Sequence, residues 1–294
     1  MKNVAVLMTV FNRIEKTLLC LESLFNAAPV EGLSFKVFIT DDGSSDGTKE
    51  KIAERFPDHH IEILQGDGNL YWNGGMNFSW RHAIAEGGFD GYLWLNNDSV
   101  VFDNLWTELA EADTYSKTKF GKGGVYIGST LDSESQEFTY GGFDFVNKWT
   151  LLDQFKIPNG SFQNCEAGHG NITYVSANVV ESEGVFCDQY RHGGGDHDYT
   201  YLAFKHGFPV FVLRNYVGSC ENDHTQVNGS DFKDLSLKER FKYLYSPLGY
   251  NLHNTLLFQK RCFPYRYFPV LVMGYAKALF PTPFFAIYKW LRKF

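Results

Sequence analysis

The sequence predicts an α/β protein, a doubly wound mixed sheet followed by a helical, aromatic and basic C-terminal extension. Three observations lead there. The chain opens on a continuous apolar run, Val4-Ala5-Val6-Leu7-Met8, as a strand covered on both faces would. Strand-like runs then alternate with stretches of helical periodicity through the first 120 residues, the pattern of βαβ units. Finally, no Asp or Glu follows Glu239 whereas nine Lys and Arg do, so the last 55 residues carry +9 and the first 239 carry −16 of the net −7.

The elements follow in order. After the first strand, Asn12 with Glu15 makes a capping-box-like helix start, and Ile14, Leu18, Leu21 and Phe25 repeat at helical spacing. Phe35 to Ile39 is a second strand, closed by the turn cluster Asp41 to Gly47, and a helix runs on through Arg55. Ile61 to Leu64 is a third strand, Asn77 to Glu86 a third helix, and Tyr92 to Leu95 a fourth strand that meets Asn96-Asn97-Asp98. Ligands of such sheets bind beyond the carboxyl ends of the strands, where these polar clusters fall. Residues 121–177 are rich in Gly, aromatics and short β-like runs. The expected domains are 1–229, with a donor half to about 120 and an acceptor half from 121, and an extension of 230–294.

Within the extension Tyr243 to Leu257 reads as helical, and Tyr267 to Trp290 as an apolar, aromatic stretch broken by Pro269, Pro281 and Pro283. A spanning helix needs about 20 uninterrupted apolar residues, so the expectation is a segment lying on an anionic membrane surface. The competing expectation is packing on the protein's own core or in a homodimer. Nucleic acid is not an expected partner, because long apolar runs interrupt the basic residues. With 44% hydrophobic and 21% charged residues the chain is globular rather than disordered. Its five cysteines are odd in number and widely spaced, which argues against a disulfide framework, and the start of the chain does not read as a signal peptide. A cytoplasmic protein, peripheral on the inner face of the membrane, fits.

Four clusters carry candidate chemistry. Asp42, followed by Gly43 for a tight turn, can accept a hydrogen bond from a uracil or thymine N–H. Asp98 at a strand end can hold Mg2+ or Mn2+, hard ions that bridge phosphate oxygens, or else cap a helix. Asp196, after the glycines Gly193, Gly194 and Gly195, is a candidate general base on a mobile backbone, with Asp198 turned to the scaffold. His224 can complete a metal site beside Asp98, whereas Cys220 and His224 lack the second ligand pair that zinc would need.

Taken together these segments resemble family 2 inverting glycosyltransferases with a GT-A fold, particularly rhamnosyltransferase-like members, over about residues 3–225. Val6 to Arg13 resembles the family's opening strand and nucleotide-contacting loop, which implies donor contacts at Thr9, Phe11 and Arg13. Thr40 to Thr48 is close to its base-binding motif, implicating Asp42 and Gly43, and Asn69 to Asn77 resembles its Gly-rich donor loop, implicating Gly74, Gly75 and Asn77. Asn96-Asn97-Asp98 takes the place of the DxD motif, with Asn97 at the donor and Asp98 on the metal. Asp196 falls on the catalytic aspartate, Gly195 standing where the motif has Glu, and His224 matches a late metal-ligating histidine.

The resemblance implies a metal-assisted transfer with inversion, from a UDP- or dTDP-linked sugar to a glycan or polyprenyl-linked oligosaccharide, in surface polysaccharide synthesis of bacteria. The rival expectations are a catalytically inactive sugar-nucleotide or glycan-binding module and a nucleotidyltransferase. The sequence lacks the basic Gly-rich loop that would hold the latter's triphosphate.

Overall fold

The structure is a computed structural model that describes residues 1–221 and 229–291. The chain divides into two compact units, Met1–Asn222 and Asp223–Phe294.

The first unit begins with β1 (Asn3–Val10), α1 (Ile14–Asn26), β2 (Ser34–Asp41), α2 (Thr48–Arg55), β3 (Ile61–Gln65), α3 (Tyr71–Glu86), β4 (Gly91–Leu95), β5 (Val100–Val101) and α4 (Leu105–Phe120). There follow β6 (Val125–Leu131), β7 (Phe138–Tyr140), β8 (Gly142–Asn147), β9 (Leu152–Phe155), β10 (Gln163–Asn164), β11 (Ala167–Gly168), β12 (Ile172–Ser176), α5 (Ala177–Glu183), α6 (Gly195–Lys205) and β13 (Val210–Ser219). The main sheet has the order β10-β13-β6-β12-β4-β1-β2-β3. β3, β2, β1 and β4 are parallel, whereas β12 runs antiparallel between β4 and β6. A second sheet, β11-β8-β9, is antiparallel.

β1 shows why its residues are apolar without alternation. Val4, Val6 and Met8 join Leu21 and Leu24 of α1 and Leu105 and Leu109 of α4 on one face. Ala5 and Leu7 join Met76, Trp80 and Ala83 of α3 on the other. Both faces are covered, as parallel strands require.

Two helix starts differ from the sequence reading. Asn12 takes a left-handed φ of 50° and its side chain accepts from Ser45 N, so no capping box forms with Glu15. The first turn of α1 is instead served from a distance, by Asp46 accepting from Ile14 N at 3.0 Å. α3 begins at Tyr71, six residues before the expected start, because Gly74 and Gly75 lie inside it rather than in a loop. There the helix backbone approaches β1 so closely that a Cβ on Gly75 would stand 2.1 Å from Thr9 Oγ1.

The second unit contains α7 (Gly229–Asp234), α8 (Leu237–Tyr245), α9 (Leu252–Cys262), a 3-10 turn (Pro264–Arg266), α10 (Tyr267–Leu279) and α11 (Pro281–Leu291). The helical stretch expected over 243–257 is broken at Ser246–Asn251, where Asn251 takes a left-handed φ of 49° and caps α9 by accepting from Asn254 N. Pro269 sits in the first turn of α10, where no intrahelical N–H is missed, and Pro281 starts α11. Leu244, Leu252 and Ala278 form this unit's core. Among the described residues no helix is long and apolar enough to cross a membrane.

Candidate active site

The parallel strands end on one rim, and the candidate residues follow those ends. Asp42, just past β2, is buried, and its carboxylate accepts from Gly68 N at 2.8 Å and Tyr71 N at 2.9 Å. It therefore ties β2 to the loop that begins α3. Gly43, at φ 89°, turns beside Gly68, and a Cβ on Gly66 would stand 2.7 Å from Asp42 Oδ1, so glycine makes the room this carboxylate occupies. Each carboxylate oxygen has a second lone pair, so Asp42 retains acceptor capacity.

At the end of β4 the three residues of Asn96-Asn97-Asp98 have different partners. Asn96 Oδ1 accepts from Trp72 Nε1 at 2.7 Å, and Asn97 turns inward to donate to Thr17 Oγ1 at 2.9 Å. Asp98 keeps 18% of its side chain exposed and pairs with Arg13, whose half-exposed guanidinium lies 2.9 Å from Oδ2. Cys220 Sγ lies 3.8 Å from Oδ1. Burial first, then the Asp98 charge, pushes the Cys20 thiol beneath this rim well above its ordinary range, so it is no nucleophile.

Asp196 lies in the first turn of α6 and accepts from Gly170 N at 2.9 Å. His197 Nε2 stands 3.9 Å from the same oxygen, and the His197 and His169 rings meet edge-on with centroids 4.8 Å apart. Burial would raise the Asp196 carboxyl, but His197, His169 and the N–H of Gly170 outweigh it and hold the group below its ordinary range. Asp196 is thus an ionised acceptor at neutral pH. His169 moves the other way: burial, reinforced by His197, lowers it to about 4. Asp198, two residues on and so on the other side of α6, is buried and accepts from Tyr190 OH at 3.1 Å, which makes it part of the scaffold.

A short bridge joins these groups. A Cβ on Gly170 would stand 2.9 Å from the Trp72 ring and 3.1 Å from Asp196 Cβ, so Gly170 is held between them. Trp72 is bonded to Asn96 and follows Tyr71, whose N–H Asp42 holds. Asn171, next to Gly170, accepts from Asn96 N at 2.9 Å and reaches Cys220 Sγ at 3.5 Å, the same sulfur that approaches Asp98. Asp42, Asp98 and Asp196 are therefore linked through Trp72, Asn96, Gly170 and Asn171.

Other expected residues serve the scaffold. Thr9 packs on Gly75, whose carbonyl accepts from Thr40 Oγ1 at 2.8 Å, and Gly74 faces Leu70. Asn77 donates to Phe186 O at 2.9 Å and Asp188 Oδ1 at 3.1 Å, while Arg81 grips Asp188 with two bonds of 2.8 and 2.7 Å. Together with Asn73, which donates to Tyr190 O, they fasten residues 186–190 along α3. A cavity of about 510 Å3 opens there, lined by Asn69, Leu70, Gly74, Asn77, Arg81 and Arg191 among others. A larger hollow, about 580 Å3, lies along α4 and Phe162, away from these aspartates. A Cβ on Gly195 would meet Asn73 Oδ1 at 1.8 Å, which explains why no Glu stands there. Phe11 projects 55% exposed beyond β1, and His224 lies outside the described residues. His169, Gly170 and Asn171 went unread in the sequence, as did the parts played by Trp72 and His197, although Trp72 lies within the Asn69 to Asn77 stretch and His197 beside Asp196.

Among the described residues no group of three His, Cys, Asp or Glu could hold a metal ion. Asp98 offers a hard oxygen donor at the rim, which suits an ion carried largely by phosphate oxygens with one protein carboxylate as anchor.

Residues 5–159, more than half of the chain, match the family model described as glycosyl transferase family 2. No curated protein matches in sequence. Among solved structures, S. aureus TarS 1–349 in complex with UDP is similar at a TM-score of 0.55 and 13% identity, over 91% of this chain and 72% of that one. The mannosyltransferase PcManGT from Pyrobaculum calidifontis, in complex with GDP-Man and Mn2+, is similar at 0.53 and 14%, over 98% and 78%. GalNAc-T7 with UDP, GalNAc and Mn2+ is similar at 0.59 and 11%, over 88% of this chain and 54% of that one. At these identities the likeness speaks for the fold.

Proposed function

The chain belongs to glycosyl transferase family 2, and on that ground we propose that it transfers a sugar with inversion from a UDP- or dTDP-linked donor to a glycan or polyprenyl-linked acceptor. The observation supporting this reading is the bridge of Trp72, Asn96, Gly170 and Asn171, which joins the Asp98 end of the rim to Asp196. One end carries a carboxylate paired with an exposed Arg13, and the other an ionised carboxylate flanked by two imidazoles.

In the reaction Asp196 takes the proton of an acceptor hydroxyl as its oxygen attacks the anomeric carbon. The bond from that carbon to the diphosphate oxygen breaks, and the nucleoside diphosphate leaves with the electron pair. A single displacement inverts the anomeric centre. Arg13 faces the departing phosphates, Phe11 and Asp42 with Gly43 border the nucleotide, and Gly74, Gly75, Asn77 and Asn97 shape the pocket from behind. A divalent cation, Mn2+ or Mg2+, would be held by Asp98, with His224 as a further ligand, and would neutralise charge on the diphosphate. The catalytic body is 1–229, and the basic extension, 230–294, keeps the enzyme at the inner face of the cytoplasmic membrane beside lipid-linked acceptors of surface polysaccharide synthesis.

The test is a thermal-shift screen of UDP- and dTDP-sugars, dTDP-rhamnose among them, with and without Mn2+. A true donor raises the melting temperature, and at 100 times its Kd contributes about 2.7 kcal/mol. Asp98→Asn is expected to remove the Mn2+ dependence of that shift. No shift with any nucleotide sugar would refute the reading.

A further inference from the structure

The outer face of α10, in the second unit, carries none of the candidate site residues, and its chemistry is unusual for a surface helix. Val270, Gly274 and Ala278, spaced by four, are buried and define the inner face. A helix of this kind ordinarily carries charged residues opposite its buried stripe. α10 instead presents Phe268, Val272, Tyr275 and Leu279, at i, i+4, i+7 and i+11, exposed by 73%, 65%, 37% and 45%. Its one charged residue, Lys277, lies elsewhere, with Nζ 4.6 Å from the Tyr250 ring centroid and 5.0 Å from that of Phe232. A contiguous apolar face left in water marks an interaction surface.

Charge identifies what covers it. Lys260 and Arg261 are exposed at the end of α9, shortly before α10, and the chain holds no acidic residue after Glu239. A second copy of the chain meeting this face about a two-fold axis would set the basic ends of the two α9 helices against like charge, with no acidic residue on α9 or α10 to offset them. An anionic surface with an apolar interior matches both features. At thirteen residues α10 is about 20 Å long, short of the roughly 30 Å of a bilayer core, so it would lie in the interface rather than cross.

We propose that α10 docks flat on an anionic lipid bilayer, with Phe268, Val272 and Leu279 among the acyl chains and Lys260 and Arg261 at the headgroups. This deepens the membrane location given above and rests on it for its biological sense. It stands apart from the transferase reading, because vesicle binding and turnover are measured separately.

The experiment uses the full chain with vesicles of phosphatidylcholine alone or mixed with phosphatidylglycerol. The probe is the double variant Phe268→Ser, Val272→Ser, which changes only exposed side chains. The wild type is expected to sediment with the anionic vesicles and not with the neutral ones. The double variant should lose about a hundredfold in partition, roughly tenfold for each inserted side chain, with its circular dichroism and donor hydrolysis unchanged. Equal partition of the two proteins, or equal binding to both kinds of vesicle, would overturn the proposal. So would a wild-type dimer in solution that the double variant converts to monomer, since the face would then be a subunit seam.

Discussion

Replacing Asp196 by Asn separates the chemistry of this carboxylate from its place in the scaffold. Asn keeps an oxygen to accept from Gly170 N, the 2.9 Å bond that positions the side chain, and it has nearly the same volume. What it loses is the charge facing His197, 3.9 Å away, and the capacity to take a proton. Exchanging a charge-assisted hydrogen bond for a neutral one costs about 1 kcal/mol, partly offset because a buried carboxylate no longer has to be kept ionised. For a chain of 294 residues that is a fall in Tm of about 1–2 °C. The loss of general-base catalysis should lower kcat by about 10²–10⁴-fold. Donor affinity, measured by calorimetry, should stay within about twofold, because the proposed donor site lies at the Asp98 end of the rim. The assay follows nucleoside diphosphate release with donor and acceptor present. Turnover within about threefold of wild type would refute the assignment of Asp196 as base. A Tm lowered by more than about 10 °C would show that the residue holds the fold instead. An inactive binding module would show no acceptor-dependent release in either protein.

Further outcomes follow from the packing and from the histidines. Gly75→Ala should destabilise the protein by about 2–3 kcal/mol in urea unfolding, because its Cβ would stand 2.1 Å from Thr9 Oγ1. Adding Thr9→Ala should recover about 1 kcal/mol of that, a coupling that independent sites would not show. His169, lowered from 6.5 to about 4 by burial and by His197, stays neutral in the folded protein while the unfolded chain takes up a proton. Stability should therefore fall as pH drops from about 6.5 to about 4, by at most about 3 kcal/mol, and level off below. His169→Asn, compared with wild type by urea midpoints at about pH 7 and pH 4.5, should flatten that dependence, and parallel pH curves would contradict it.

The parallel half of the fold was legible because β1 and β4 are apolar along nearly their whole length, β2 carries the apolar run Val37 to Ile39, and the turn clusters are polar. Val4 to Met8 could be little else. The start of α3 was misread because Gly74 and Gly75 look like loop residues; their real reason, closeness to Leu70 and Thr9, belongs to helix-on-sheet packing that no local pattern displays. Asn12 failed as a cap for a similar reason, since its partner Ser45 is 33 residues away. Asp42 and Asp98 were visible as carboxylates at strand ends, but not that Asp42 would also hold Gly68 and Tyr71. Asn77 and Asn97 carried nothing to distinguish a pocket amide from one fastening two segments of backbone. The imidazole beside Asp196 that comes from His169 lies on a link between two short strands, and only the completed sheet brings it there.

The reversed direction of β12 has a consequence for how such a protein can diversify. Ile172 pairs with Leu95 and Ser176 with Gly91, so the link that enters β12, rather than the one that leaves it, arrives at the crest where β4 finishes. A co-directional neighbour would have delivered its entering link to the opposite margin of the sheet, some five residues away. The stretch between β6 and β12 can thus lengthen, shorten or change composition, redrawing what Gly170 and Asn171 present at the rim, while the side built on β1, β2 and β4 keeps its own alignment. The reversal of β12 between β4 and β6 thus lets the two sides of the rim be tuned separately.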